Sequence, residues 1–257
     1  MNMILRVFCL CLFWSMFLCG LSLAGADERE RDFLKALDIF DNSKTPEDFH
    51  AAAKAFESLL EDGYDNGAVN YNLGNAYFRA NEFGKAIVHF RRAKRYLPRD
   101  PFVQANLQQA IAAAPGKMLV NHAPWTERFL FWSGWLSVLE KCVAMTVLFG
   151  AACLLVVCGC VFKNSKLTWL ALPAAILSLA VGGDLALGSP ELLGVRHAAI
   201  TRETVARKGA AESYESAFDK PLLDGAEFTI LSETNNWTFG NFEGVGTGWV
   251  RNEFVAK

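Results

Sequence analysis

Three long apolar blocks divide the chain, and the hydrophobic pattern between them changes from a helical period to a strand period. Val7 to Leu23 is the first block, Cys142 to Phe162 the second and Leu167 to Leu187 the third. Asp27 to Phe40 and Pro46 to Glu61 read as two amphipathic helices, the second with Ala52, Phe56 and Leu59 on one face. Thr45, Pro46, Glu47 and Asp48 form a helix start, with a capping hydroxyl, proline in the first turn and acids behind it. Asp100-Pro101 opens a further helix with Val103, Leu107 and Ile111 along its apolar edge, and Pro115-Gly116 ends it. From Val195 onward the period shortens. Ala198 to Ala206, Glu227 to Leu231, Asn236 to Phe239, Gly248 to Val250 and Phe254-Val255 read as five short strands separated by turn residues.

The second and third blocks are long enough to cross a bilayer. Cys142 to Phe162 is 21 residues without a charge. Lys163 to Lys166 joins the two blocks so tightly that they must form an antiparallel hairpin, with the lysines on the cytoplasmic side. Trp125, Trp132, Trp135 and Trp169 stand at the expected water–lipid boundaries. Ala174, Ser178 and Gly182 form a small-residue stripe suited to helix packing, though such residues are common in spans. Asp184 is expected to reach water from near the outer boundary.

Residues 1–26 have the pattern of a secretory signal: Arg6, then the apolar run, then Ala24-Gly25-Ala26 before a charged stretch. The alternative is an uncleaved anchor, since Val7 to Leu23 nearly spans. Export puts both polar regions on the extracytoplasmic side, in agreement with the lysine loop. All seven cysteines lie in the apolar blocks, which excludes a disulfide framework outside the membrane. Cys153, Cys158 and Cys160 have no histidine or acid nearby and read as membrane filler.

The segment NYNLGNAYFRANEFGKAIVHFRRAKRYLPRDPFVQANL, Asn70 to Leu107, carries Leu73-Gly74, Tyr77, Ala86, Phe90, Ala93 and Pro98. At those offsets it resembles a tetratricopeptide repeat (TPR), a helical hairpin that grips other proteins. Gly74 and Ala86 allow close helix approach, while Leu73, Tyr77 and Phe90 fill the seam. The helices before it form a degenerate repeat and the helix after it a cap. The TPR resemblance implies that Tyr71, Asn75, Phe78 and Arg79 face a concave protein-binding groove. The plainer reading makes them partly exposed helix residues, with Phe78 packed on the next helix. Arg91, Arg92, Lys94, Arg95 and Arg99 read as a solvated basic face near a helix C-terminus.

The C-terminal strands resemble a bacterial SH3-like barrel through Gly225, Phe228-x-Ile230-Leu231, Trp237 and Gly248-Trp249-Val250. Trp237 and Trp249 are candidate peptide-binding residues if exposed, and at least one is expected in the core. The expected fold class is thus multidomain. An all-α TPR region covers 27–116, an interfacial linker 117–141, membrane helices 142–162 and 167–187 flank the loop 163–166, and an all-β SH3-like barrel covers 195–257.

Composition narrows the function. The chain is 52% hydrophobic with a net charge of −2, so nothing global points to nucleic acid. His50, His89, His122 and His197 are scattered, and there is no nucleophile elbow, metal-ligand spacing or phosphate loop. The expectation is a non-enzymatic scaffold with no catalytic residue, cofactor or metal. The order of modules is similar to BatE-type proteins of bacterial aerotolerance operons. That resemblance implies an inner-membrane protein acting with von Willebrand A-domain membrane proteins and, indirectly, a MoxR-type AAA+ ATPase. The alternative is an envelope protein whose barrel binds peptidoglycan peptides.

Overall fold

The computed structural model of the chain describes residues 26–116, 135–188 and 196–257. The expected signal segment up to Gly25, Trp125, Trp132 and most of the expected linker lie outside the described residues. Five helices come first: α1 (Ala26–Asn42), α2 (Pro46–Glu61), α3 (Gly67–Arg79), α4 (Phe83–Tyr96) and α5 (Pro101–Ala113), each packed on the next. Local chemistry starts most of them. The Thr45 hydroxyl accepts from the Asp48 N–H while Asp48 reaches back to the Thr45 N–H, a reciprocal capping box for α2. Asn66 caps α3 through the Val69 N–H, and Asp100 caps α5 through Phe102 and Val103.

Phe56, Leu59, Val69, Leu73, Tyr77, Ile87 and Phe90 are almost completely withdrawn from solvent in one continuous helical core. Burial of each such side chain contributes about 1.5–3 kcal/mol. Gly74 sets the α3–α4 distance, because a Cβ there would stand 2.8 Å from the Phe90 ring. Asn70 is also fully buried. Its Oδ1 lies 3.0 Å from His89 Nδ1, and its amide donates to Asp65 and to the Asn66 carbonyl.

Helices α6 (Val138–Val161) and α7 (Ser165–Gly188) form an antiparallel pair, each long and apolar enough to cross a membrane. The first starts before Cys142, because Ser137 and Glu140 form a capping box upstream of the apolar run. The small stripe faces the partner helix: Ser178 is buried, its Oγ donates to the Met145 carbonyl at 3.1 Å, and Gly182 lies against Met145. Val147, Phe149, Leu154, Leu177 and Leu179 point outward, more than half exposed. Asp184 does not reach water as expected. It is 1% exposed, with Lys141 Nζ 3.3 Å from Oδ2 and no hydrogen-bond partner on either oxygen. The expectation missed Lys141 because that lysine precedes the uncharged block, and the α6 capping box draws it into the helix.

The C-terminal region is a curled five-stranded antiparallel sheet built from β1 (Arg196–Ile200), β2 (Glu227–Glu233), β3 (Trp237–Phe242), β4 (Gly246–Arg251) and β5 (Val255–Ala256). Its order is β4-β3-β2-β1-β5. The first strand stops at Ile200, short of the expected Ala206. Its ladder with β2 ends at Ala199–Glu227, and Thr204 and Arg207 make only isolated bridges, to Leu222, Ser216 and Trp249. Phe228, Ile230, Phe242, Val250 and Ile200 fill the concave side, with the Phe228 and Phe242 rings stacked at 4.6 Å. Neither tryptophan is in that core, contrary to expectation. Thr238, Gly240 and Phe242 point inward on β3, so alternation turns Trp237 and Phe239 outward. Trp249 lies opposite Phe239 and stacks on it at 5.0 Å. Both tryptophans are half-buried.

The helical unit and the sheet are docked. Glu82, at the N-cap position of α4, supplies no side-chain cap. The Asp224 carboxylate takes that role, accepting from the Phe83 N–H at 2.9 Å and the Gly84 N–H at 2.8 Å. Burial pushes the Asp224 carboxyl above its usual range, against the opposing pull of the Gly84 and Phe83 N–H groups. The Gly116 N–H donates to the Asp224 carbonyl at 2.8 Å. Gly225 takes a positive φ of 85° there, and a Cβ on it would meet Ala114 at 2.4 Å.

Candidate functional site

A cavity of about 520 Å³ opens on the helical unit, lined by Phe40 of α1, Asn75, Phe78 and Arg79 of α3, and Asn106 and Gln109 of α5. Residues 75, 78 and 79 share one face of α3 because three- and four-residue steps return to the same side of a helix. Tyr71 lies one turn earlier. Its hydroxyl accepts from Asn106 Nδ2 at 3.1 Å, and its ring lies 6.1 Å from that of Phe90. The same Asn106 amide donates to Asn75 Oδ1 at 2.7 Å, so α5 fixes the orientation of both α3 side chains.

The structure thus brings Asn75, Phe78 and Arg79 together around one cavity and sets Tyr71 behind them as their brace. Phe78 also packs edge-on to Phe83 at 5.8 Å, so it belongs to the core and to the cavity wall at once. The Arg79 guanidinium lies 5.6 Å from the centre of the Phe49 ring, which meets Phe40 edge-on at 5.3 Å. Cation–π support and exposure leave its planar fork pointing at solvent. The sequence reading missed Phe40, Phe49 and Gln109. Phe40 and Phe49 flank the α1–α2 turn, and their proximity to Arg79 is set by the packing of α2 on α3.

Chemically, this arrangement of side chains is suited to binding. A guanidinium and three amides beside aromatic walls can hold a carboxylate or the carbonyls of an extended peptide. Elsewhere on the helical unit, His50 Nδ1 lies 2.5 Å from Glu82 Oε1, and Glu82 is also held by Lys85 at 2.7 Å. Burial would raise the Glu82 carboxyl, but the hydrogen bonds from Lys85 and His50 outweigh it and hold it below its usual range. Among the described residues, no group of three or more His, Cys, Asp or Glu side chains could hold a metal ion.

Trp237 and Trp249 stand well apart from this groove in the chain, on the outward face of β3 and β4 with Phe239 between them. Arg91 and Arg92 are not simply solvated, as the sequence reading had them. Arg91 makes a two-pronged pair with Glu227 of β2, with Nη2 2.8 Å from Oε2 and Nε bonded to Oε1, and Arg92 donates to the main-chain oxygen of Lys257. The signal available in the sequence was Glu227, an acid with no basic residue within four positions on either side.

No family model, curated protein or solved structure matches the chain.

Proposed function

We propose that the protein is a non-enzymatic scaffold anchored in a membrane by α6 and α7. Its helical unit, read as a short TPR array, holds a segment of a partner protein. The observation that carries this reading is the gathering of Asn75, Phe78 and Arg79 with Phe40 and Asn106 around one open cavity. The Asn106 amide already bridges Tyr71 and Asn75, so the groove is organised before a partner arrives, which lowers the ordering cost of binding. The module order supports a BatE-type role in the bacterial inner membrane, with both polar regions extracytoplasmic. The partners would then be von Willebrand A-domain membrane proteins, and indirectly a MoxR-type ATPase.

A second reading is favoured by one observation. Trp237, Phe239 and Trp249 share the outer face of the SH3-like sheet, where peptidoglycan peptides could stack. Affinity isolation of the full chain from detergent-solubilised membranes, run beside retention on purified sacculi, separates the two. Recovery of a von Willebrand A-domain protein that is lost in Arg79→Glu supports the groove. Sacculus retention that is lost in a Trp237→Ala, Trp249→Ala double variant moves the function to the sheet.

A further inference from the structure

We infer that the seam between α4 and the sheet is a binding site for the phosphate of an anionic phospholipid headgroup. This rests on the reading of α6 and α7 as membrane spans, and it adds a ligand that the protein-binding groove does not need. The seam holds a cleft of about 320 Å³ whose walls come from separate parts of the chain. Arg91, Arg92 and Arg95 line it from α4, Arg196 from the start of β1 and Lys257 from beyond β5. Glu227, facing Arg91, and Glu233, 2.5 Å from Lys257 Nζ and paired with Arg196, offset only part of that charge. The excess stays positive if a terminal carboxylate at Lys257 is added. About half of the Arg91 and Arg196 side-chain surface is open to solvent, so the charge is accessible.

Like charges at this density repel one another, and the pairs with Glu227 and Glu233 relieve only part of that repulsion. The Asp224 cap and the close approach of Gly84 to Ile200 fix α4 against β1. A cleft whose cations are set in place before the anion arrives suits a phosphate, which accepts several guanidinium forks at once.

The position in the fold selects the source of that phosphate. Arg99, just past the end of α4, has Nη2 2.6 Å from Glu140 Oε1, in the first turn of α6 at the outer end of the hairpin. Arg95 and Arg92 are four and seven residues back along the chain from Arg99, in the last turns of α4, so the cleft arginines follow closely on the contact with the span. The same corner leaves Tyr96, Leu97 and Phe102 exposed, Phe102 at 68%. Trp135 and Leu139 are bare beside it at the start of α6, at 71% and 73%. An exposed apolar and aromatic rim close in the chain to a group of arginines has the composition of a bilayer interface, where acyl chains meet phosphates.

The test uses the full chain in nanodiscs of equal parts phosphatidylglycerol and phosphatidylcholine, with native mass spectrometry of the lipids retained on ejection. Phosphatidylglycerol should be retained over phosphatidylcholine in a ratio of about ten to one, against one to one in the disc. Arg92→Gln and Arg196→Gln should each lower that enrichment about fivefold. Lys94→Gln, which removes the same charge from α4 outside the cleft, should leave it unchanged. Equal retention of the two lipids, or equal loss in Lys94→Gln, overturns the site. Inorganic phosphate added alone distinguishes a soluble source: if it raises the melting temperature of the wild type but not of Arg92→Gln, while no lipid is enriched, the lipid assignment is wrong. A chain that does not enter nanodiscs at all refutes the membrane reading itself, a different failure from a disc-bound chain without lipid preference.

Discussion

Asp224 Oδ1 accepts the backbone N–H of Gly84 at 2.8 Å, joining residues 140 apart in sequence. A loop of the sheet therefore supplies the N-terminal cap that α4 lacks, and the two regions read from sequence as separate modules are physically continuous. Removing the carboxylate by Asp224→Ala should cost about 1–2 kcal/mol, the loss of a helix cap. Hydrogen exchange at Phe83 to Ile87 is the direct check. Faster exchange there, with α2 unchanged, is the expected outcome.

Gly84→Ala inverts the ordinary rule for helices. Alanine normally stabilises a helix interior over glycine by about 1 kcal/mol. Here the new Cβ would stand 2.0 Å from the Ile200 carbonyl oxygen, so the sheet must move away. The variant should melt below the wild type and lose the Arg91–Glu227 contact, whereas Gly63→Ala, with open space around it but a positive φ of 78°, should lose stability without loosening the seam. Thermal unfolding of the three chains, read beside cleavage between helical unit and sheet by a protease, tests both statements.

His89 gives the helical unit a pH dependence of known sign. Burial, with Arg92 and Lys85 nearby, lowers its pKa from the usual 6.5 to about 3. The neutral ring lies 3.0 Å from the Asn70 amide oxygen and stacks on Tyr77. The unfolded chain takes up the proton first, so stability is full above about pH 6.5 and falls as pH drops from there toward 3, with a limiting slope of about 1.4 kcal/mol per unit. Denaturant unfolding between pH 7 and 5 should show the slope rising toward that limit by pH 5, and His89→Gln should flatten it.

The Lys141–Asp184 pair predicts a double-mutant pattern inside the hairpin. Both groups are nearly inaccessible, at 5% and 1% side-chain exposure, so removing one leaves an uncompensated charge. Lys141→Met alone should destabilise the α6–α7 pair by about 3 kcal/mol. The double variant Lys141→Met, Asp184→Leu should recover most of that loss. Steric trapping or denaturation in detergent measures each corner of the cycle.

Much of this architecture was legible because its signals are local. The capping residues Thr45 and Asp100, the uncharged runs and the α3 spacing of Asn75, Phe78 and Arg79 all act within a few residues, and the structure places them accordingly. What was not legible depends on contacts far apart in sequence. Asp224 gives no local sign of its role because its helix partner lies in another region, and Arg91 and Arg92 read as solvated because Glu227 and Lys257 are equally distant. The expectation of a core tryptophan at Trp237 or Trp249 failed for another reason. The β-strand period gives two faces but not which one is inward, and the small residue Gly240, a Cβ on which would stand 2.2 Å from the Phe228 ring, decides it.

Site-specific photo-crosslinking from Phe78 in intact cells tests the scaffold account most directly, with Lys94 as the control position outside the groove. The account predicts that a von Willebrand A-domain membrane protein is captured from Phe78, that Lys94 captures none, and that Arg79→Glu abolishes the adduct. Equal yields from both positions, or capture of cell-wall enzymes alone, would contradict it.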